Sequence, residues 1–145
     1  MRISIKVRGG ALVRQGLENI HLETPQVGRR RVRTVLNRIV RRMQEYPEER
    51  PGSTYHRTGN LFYHWKIEPL SKIGYSISNT ATRKGRAYPQ YVVGDAYGIS
   101  QAWMHKGRWP LFRDVTEEEL LALPQEILDD LMLVARREEF KTNEL

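Results

Sequence analysis

The sequence predicts an α+β fold in which a small antiparallel β-sheet packs with one long helix plus a C-terminal helix. The long helix is indicated by apolar residues at i, i+3, i+4, i+7, i+8 and i+11, which are Val32, Val35, Leu36, Ile39, Val40 and Met43. Alternation of Tyr75 and Ile77 with serines indicates a strand. The length of 145 residues and the 39% hydrophobic content predict a single domain, 1–145.

The N-terminal third is predicted to contain a strand and then helices. Residues 3–7 alternate between apolar and polar side chains, which is typical of a short strand. Residues 11–21 have a weaker helical pattern. Thr24 fits the N-cap of the long helix and Pro25 its first helical position. Prolines end the helix and open a loop, so we expect mobility near residues 47–60.

The middle of the chain is predicted to form the sheet. Residues 61–68 and 73–79 have the composition of two strands joined by a short connection, which predicts a hairpin. Residues 80–87 are polar and basic, and we expect a mobile loop there. A further strand is expected within residues 100–109.

The C-terminal helix is predicted from a capping box. Thr116 occupies the cap position and Glu119 follows three residues later. Pro124 is expected to kink the helix or to divide it near Leu123. Residues 141–145 are expected to fray.

Charge is distributed unevenly along the chain. Residues 1–50 and 51–113 each carry a balance of +7, whereas residues 114–145 carry −7. A basic body with an acidic tail is compatible with nucleic-acid binding, and equally with head-to-tail pairing of copies in a ring. The absence of cysteine excludes disulfides and thiolate metal sites. The sequence contains no apolar run long enough for a membrane span and starts without a signal-peptide pattern, which favours a cytoplasmic protein.

The sequence predicts neither an enzyme nor a metal or cofactor site. The four histidines lack metal-ligand spacing, and residues 51–113 contain only two acids, so clustered carboxylates are missing. An alternative function, a metal-independent nuclease, would use His56, Arg57 and Arg108 as acid, base and phosphate clamp.

Two sets of residues are candidates for binding macromolecules. Arginines near the start of the long helix are possible DNA-facing residues: Arg29, Arg30, Arg31 and Arg33. Because no aromatic residue is interleaved to stack on bases, a solvated or interface role is the preferred interpretation for them. Aromatic and basic residues further along the chain are interface candidates, since Trp, Tyr and Arg anchor protein interfaces: Tyr88, Tyr91, Trp103, Arg108 and Trp109.

The segment Arg57-Thr58-Gly59-Asn60-Leu61 is predicted to form a structural turn. We expect the Thr58 hydroxyl to brace the turn and Gly59 to adopt a backbone conformation open mainly to glycine. Arg57 is expected to bind a carboxylate or a main-chain carbonyl.

Three motifs in order give the chain a resemblance to a known family. They are Arg57-Thr58-Gly59-Asn60-Leu61, then Tyr88 with Tyr91-Val92, then Gln101-Ala102-Trp103 with Gly107-Arg108-Trp109-Pro110. With a preceding long helix and a following C-terminal helix, this order resembles the tail-completion and head–tail joining (neck) proteins of tailed bacteriophages over residues 25–140.

The resemblance implies a structural virion protein and not an enzyme. It implies assembly of several copies into a ring, with neighbouring neck and tail proteins as partners, no membrane association and possible contact with DNA in the channel. The implied location is the neck or tail of the virion, after synthesis in the cytoplasm of the bacterial host. A basic nucleic-acid-binding protein remains the alternative.

Overall fold

The fold is α+β, as predicted, with long helices and two small antiparallel hairpins. A computed structural model describes residues 10–49, 51–52, 58–71, 74–95 and 98–143. Its elements are α1 Gly10–Gln44, α2 Asn60–Tyr63, β1 Trp65–Pro69, β2 Tyr75–Asn79, β3 Thr82–Arg83, β4 Arg86–Ala87, α3 Pro89–Val93, α4 Phe112–Leu121 and α5 Leu123–Asn143. The strand predicted at residues 3–7 lies outside the described residues.

Helix α1 is one continuous helix, so the predicted start at Thr24 and Pro25 is wrong. The Thr24 hydroxyl donates a hydrogen bond to the carbonyl of Ile20, one turn earlier, and therefore does not cap a helix. Pro25 lies inside the helix, where it removes one backbone hydrogen bond. Packing of α1 against α5, with Asn19 donating to Glu138 at 2.9 Å, holds the helix together on both sides of the proline.

The predicted hairpin is confirmed for β1 and β2, which pair antiparallel from Trp65–Asn79 to Pro69–Tyr75. The prediction was wrong for residues 61–63, which belong to the short helix α2. Gly59, with φ of 70°, turns the chain immediately before α2, and the Tyr63 amide donates to the Gly59 carbonyl at 3.1 Å. The sequence alternates poorly at this point because these residues form a helical turn.

Residues 80–87, predicted as a loop, contain a second hairpin in which β3 pairs antiparallel with β4. Lys84 and Gly85 both have positive φ, the conformation that a two-residue hairpin turn requires. The strand predicted within residues 100–109 is replaced by successive turns. The expected mobility of residues 80–87, and of 47–60, stays a prediction; residues 50 and 53–57 lie outside the described residues.

The C-terminal region is divided into α4 and α5 at Ala122, as predicted from Pro124. The prediction of a capping box at Thr116 was wrong, because α4 begins at Phe112 and the Thr116 hydroxyl donates to the Phe112 carbonyl at 2.7 Å. Helix α5 reaches Asn143, and residues 144–145, part of the segment expected to fray, lie outside the described residues.

The core lies where α1 meets the middle segment and α4. Its buried residues are Val35, Leu36, Ile39, Met43, Leu61, Val92, Val93 and Val115. Four of the six residues that predicted the apolar stripe of α1 are in this cluster, so the stripe is confirmed as the core-facing side. Within the described part of the chain, no helix combines the length and apolar character needed to cross a bilayer.

Candidate functional site

The predicted turn at Thr58 and Gly59 forms as expected. The Thr58 hydroxyl accepts a hydrogen bond from the Asn60 amide at 3.3 Å, and Gly59 has positive φ. A Cβ on Gly59 would lie 2.8 Å from Cε2 of Tyr63, so a larger residue would meet both strain and crowding. Leu61 is buried in the core. Arg57 and His56 lie outside the described residues.

This turn connects three elements of the fold. The Tyr46 hydroxyl, just beyond α1, accepts from the Phe62 amide at 2.9 Å. Asn60 Nδ2 donates to the Thr82 carbonyl of β3 at 2.8 Å, and Asn79 Nδ2 of β2 donates to the Leu61 carbonyl at 2.8 Å. The turn is therefore a structural junction between helix and hairpins.

The predicted interface residues differ in exposure. Trp103 is 78% exposed and Tyr91 is 49% exposed, and they belong to neighbouring segments because the Ala102 amide donates to the Tyr91 carbonyl at 2.8 Å. Tyr88 and Trp109 are instead half-buried and pack against the core. We call Tyr91, Trp103 and the exposed Met104 the aromatic surface.

Arg108 and Trp109 stabilise the fold locally. Arg108 Nη2 donates to the Glu48 carbonyl at 2.6 Å. The Trp109 ring packs edge-to-face on Tyr46 with centroids 4.8 Å apart. These contacts give both residues a structural role in this chain, whether or not they also contact a partner.

Gln101 is a structural residue that the sequence did not identify as one. Its side chain is buried, and Nε2 donates to the Val92 carbonyl at 2.8 Å and to the Trp109 carbonyl at 3.1 Å. One amide thereby joins α3 to the turns that follow Trp103. The sequence signal that could have indicated this role is the place of Gln101 directly before Ala102-Trp103 in the third motif.

The predicted DNA-facing arginines are brought together on α1, but two of them bind acids of the C-terminal helices. Arg31 makes a two-pronged contact with Asp130, with Nε to Oδ2 at 2.6 Å and Nη2 to Oδ1 at 2.7 Å. Arg30 lies 3.7 Å from the same carboxylate. Arg29 donates to the Tyr75 hydroxyl at 2.8 Å. Arg33 is exposed.

The contact at Asp130 is part of a longer ionic network. Arg38 binds Glu119 and Glu126, each at 2.8 Å, and Arg42 binds Glu118 at 2.6 Å and Glu119 at 3.1 Å. The hydrogen bond from Arg31 is the main reason why the pKa of Asp130 lies below its usual value, against an opposing effect of burial. We call these pairs the α1–α4/α5 network.

The network changes the interpretation of the opposite charges of the body and the tail. Of the ten acids in residues 114–145, four bind arginines of α1 in the same chain: Glu118, Glu119, Glu126 and Asp130. Part of the charge complementarity is therefore used within the chain, where it holds α4 and α5 against α1.

Unpaired basic groups occur on the β3–β4 hairpin. Residues 82–87 are all exposed. Arg83, Lys84 and Arg86 make no ion pair within the part of the chain that the structure describes. Arg83 and Lys84 also line a cleft of about 1010 Å³, together with Tyr63, His64 and Arg108.

The described residues bear only in part on the catalytic alternatives. In the described ranges, no group of three or more His, Asp or Glu side chains is placed to hold a metal ion. For the nuclease alternative, only Arg108 is described, and its guanidinium donates to a backbone carbonyl.

Comparison with known proteins gives no family assignment. No protein-family model, no curated protein and no solved structure matches this chain.

Proposed function

We propose that this protein is a structural component of the head–tail joint or tail-completion ring of a tailed bacteriophage or prophage, and that it acts by protein–protein contacts. The observation that carries the proposal is the aromatic surface, formed by the second and third motifs of the resemblance. Trp103 and Tyr91 are large exposed rings on adjacent segments. Such rings are typical anchors of protein interfaces.

The order of elements agrees with this function. A long helix, the Thr58-Gly59 turn, a β-hairpin, the Tyr91 segment, the Trp103 segment and a C-terminal helix follow one another. Buried hydrogen bonds from Gln101 hold the segment that carries Trp103, so the exposed ring projects from an ordered base. A pre-organised anchor loses less entropy when it binds.

A second exposed apolar surface supports assembly into a ring. On α4 and α5, large apolar side chains face solvent: Leu120, Leu121, Leu128, Met132 and Leu133. A closed ring of identical copies requires two different surfaces that fit each other. The aromatic surface and this helical surface supply two candidates.

Apolar contacts replace the charged contacts that the sequence suggested for the ring. The acids of α4 and α5 that bind Arg31, Arg38 and Arg42 are already satisfied within the chain. The proposed ring is therefore expected to persist at high salt, because screening weakens exposed charge pairs more than buried apolar contacts. Its other partners are the adjoining neck or tail proteins, and its location is the virion after synthesis in the host cytoplasm.

The test is head–tail joining by particles that carry Trp103→Ala. We expect joining to fail, while Leu70→Ala, which removes a similarly exposed apolar side chain from the β1–β2 connection, leaves it intact. Light scattering of purified protein and of assembled particles, at low and high salt, measures the ring.

Two results would contradict the proposal. One is normal head–tail joining both by particles that carry Trp103→Ala and by particles that carry Tyr91→Ala. The other is the absence of a ring on the particle as well as in solution.

A further inference from the structure

The β3–β4 hairpin concentrates positive charge in a way that its own stability does not require. Arg83 and Arg86 are direct cross-strand partners, and Lys84 lies between them in the turn. Like charges opposite each other in a sheet destabilise the pairing. The described part of the chain places no carboxylate in ion-pair contact with these three side chains.

Lys84 adds a second local cost. Its φ is 51°, in the left-handed region, and it is the only non-glycine residue with positive φ in the described ranges. Two-residue hairpin turns favour Asn-Gly or Asp-Gly, whereas this turn has Lys84-Gly85. A lysine in this position brings charge to the tip of the hairpin at the expense of turn stability, which is the pattern expected when a functional requirement opposes stability.

Few acids lie around the hairpin among the described residues. The cleft beside it is lined by His64, His105 and Arg108, with Glu49 as the one acid among its described lining residues. Glu68 is the sole acid in the sequence between residues 58 and 94. Tyr63, 76% exposed, also borders the cleft. The site therefore combines projecting cations with an exposed aromatic ring.

We propose that the β3–β4 hairpin is a nucleic-acid contact, with Arg83, Lys84 and Arg86 binding the phosphate backbone beside the cleft. The proposal is independent of the head–tail role. It moves the nucleic-acid surface away from α1, where Arg31 binds Asp130 and Arg29 donates to the Tyr75 hydroxyl. Arg33 of α1 is exposed, and the control variant below tests it.

A nucleic acid fits this hairpin better than an acidic protein does. Residues 82–87 contain no large apolar side chain, and Ala87 is the only hydrophobic residue among them. Stable protein interfaces depend on buried aromatic or aliphatic anchors with a polar rim. Phosphate binding depends on cations and the release of counterions, and a two-stranded ribbon is narrow enough to approach a groove of the duplex.

The experiment compares two charge-matched variants of the full chain. In the hairpin variant, R83Q/K84Q/R86Q, three unpaired cations are lost. In the control variant, R33Q/R41Q/R137Q, three exposed helical arginines without an ion pair in the described residues are lost. Both variants have the same net charge, so a difference in their DNA affinity is caused by the position of the lost cations. Circular dichroism and urea unfolding confirm that both variants fold.

Binding to a labelled 30-base-pair DNA is measured as a function of salt concentration. The hairpin variant is expected to lose affinity about tenfold or more, and its slope of log K against log salt is expected to become shallower by about 2.7, the value for three phosphate contacts. The control variant is expected to stay close to wild type. A single-stranded DNA of equal length shows whether the phosphates are read in a duplex or in one strand.

Three outcomes would overturn the proposal. The first is an equal loss of DNA affinity in the two variants, which would indicate a general charge effect. The second is no detectable binding of the wild-type protein to either DNA at low salt. The third is a hairpin variant that binds DNA normally but loses binding to a polyglutamate peptide, which would assign the hairpin to an acidic protein partner.

Discussion

The α1–α4/α5 network and the β3–β4 hairpin use the same type of side chain for different purposes. On α1, arginines at positions 31, 38 and 42 bind carboxylates of the same chain. On the hairpin, Arg83, Lys84 and Arg86 face solvent, with no ion pair in the described residues. A count of positive charge therefore does not locate a binding surface. The acids that the fold brings alongside decide which cations remain available.

Helical geometry explains the difference. Arg31, Arg38 and Arg42 are separated by seven and four residues, so they lie on one side of α1. That side faces α4 and α5, whose acids meet them in reverse order, from Asp130 to Glu118. The hairpin lies beside the Thr58-Gly59 turn, and among the described residues no carboxylate forms an ion pair with it.

The largest effect is expected from reversing a charge inside the network. Arg31→Glu would place two carboxylates against each other at Asp130, which is only 8% exposed. We expect the free energy of unfolding in urea to fall by about 2–3 kcal/mol, because Asp130 loses its closest partner and faces a like charge where water reaches it poorly, with Arg30, at 3.7 Å, as its remaining ion-pair partner among the described residues. The control, Arg33→Glu, changes an exposed arginine and is expected to stay within about 0.5 kcal/mol of wild type.

A charge swap strengthens this test. The double variant R31E/D130R restores opposite charges and is expected to recover part of the lost stability. If Arg31→Glu and Arg33→Glu destabilise the protein equally, the network contributes no more than an ordinary surface charge. The ion pairs of α1 would then not explain why its arginines differ from the cations of the β3–β4 hairpin.

Much of the fold follows from local sequence patterns. The apolar stripe from Val35 to Met43 faces the core, the strands around Ile67 and Ile77 pair, and the C-terminal helix divides before Pro124. Each of these features depends on residues close together in the chain. The Thr58-Gly59 turn belongs to the same class, because one hydroxyl and one glycine determine it.

The remaining features depend on contacts between distant parts of the chain. Thr24-Pro25 has the local pattern of a helix start, yet α1 continues through both residues and packs against α5. Thr116 and Glu119 have the spacing of a capping box, but Glu119 binds Arg38, 81 residues away. No local pattern specifies such partners. The candidate interface residues were identified by type, whereas the half-buried state of Tyr88 and Trp109 depends on tertiary packing.

A smaller effect is expected at the junction between the helical body and the hairpin. Gly59→Ala introduces a Cβ at positive φ and 2.8 Å from Tyr63, which should lower the free energy of unfolding by about 1–2 kcal/mol. Gly28→Ala, inside α1 with open space around it, is expected to raise stability by about 0.5–1 kcal/mol. Thermal or urea unfolding measures both.

The Gly59→Ala variant also tests whether the helical body and the β3–β4 hairpin are coupled. The turn holds β3 through the hydrogen bond from Asn60 to Thr82, so Gly59→Ala should also weaken DNA binding through the hairpin. Gly28→Ala should leave that binding unchanged. Equal stability of the two alanine variants would show that the left-handed turn is not strained by a side chain.

The smallest effect is expected at the tip of the hairpin, where stability and binding should change in opposite directions. Lys84→Asn keeps φ near 51° with a residue that tolerates the left-handed region, so the free energy of unfolding should rise by about 0.5–1 kcal/mol. It also removes one cation, so the salt slope of DNA binding should become shallower by about 0.9. Urea unfolding and DNA titration on the same preparation measure both.

A gain in stability without any loss of DNA affinity would show that Lys84 does not contact phosphate and would confine the contact to Arg83 and Arg86. A loss of stability would mean that the lysine supports the turn, and its position could then be explained without a ligand.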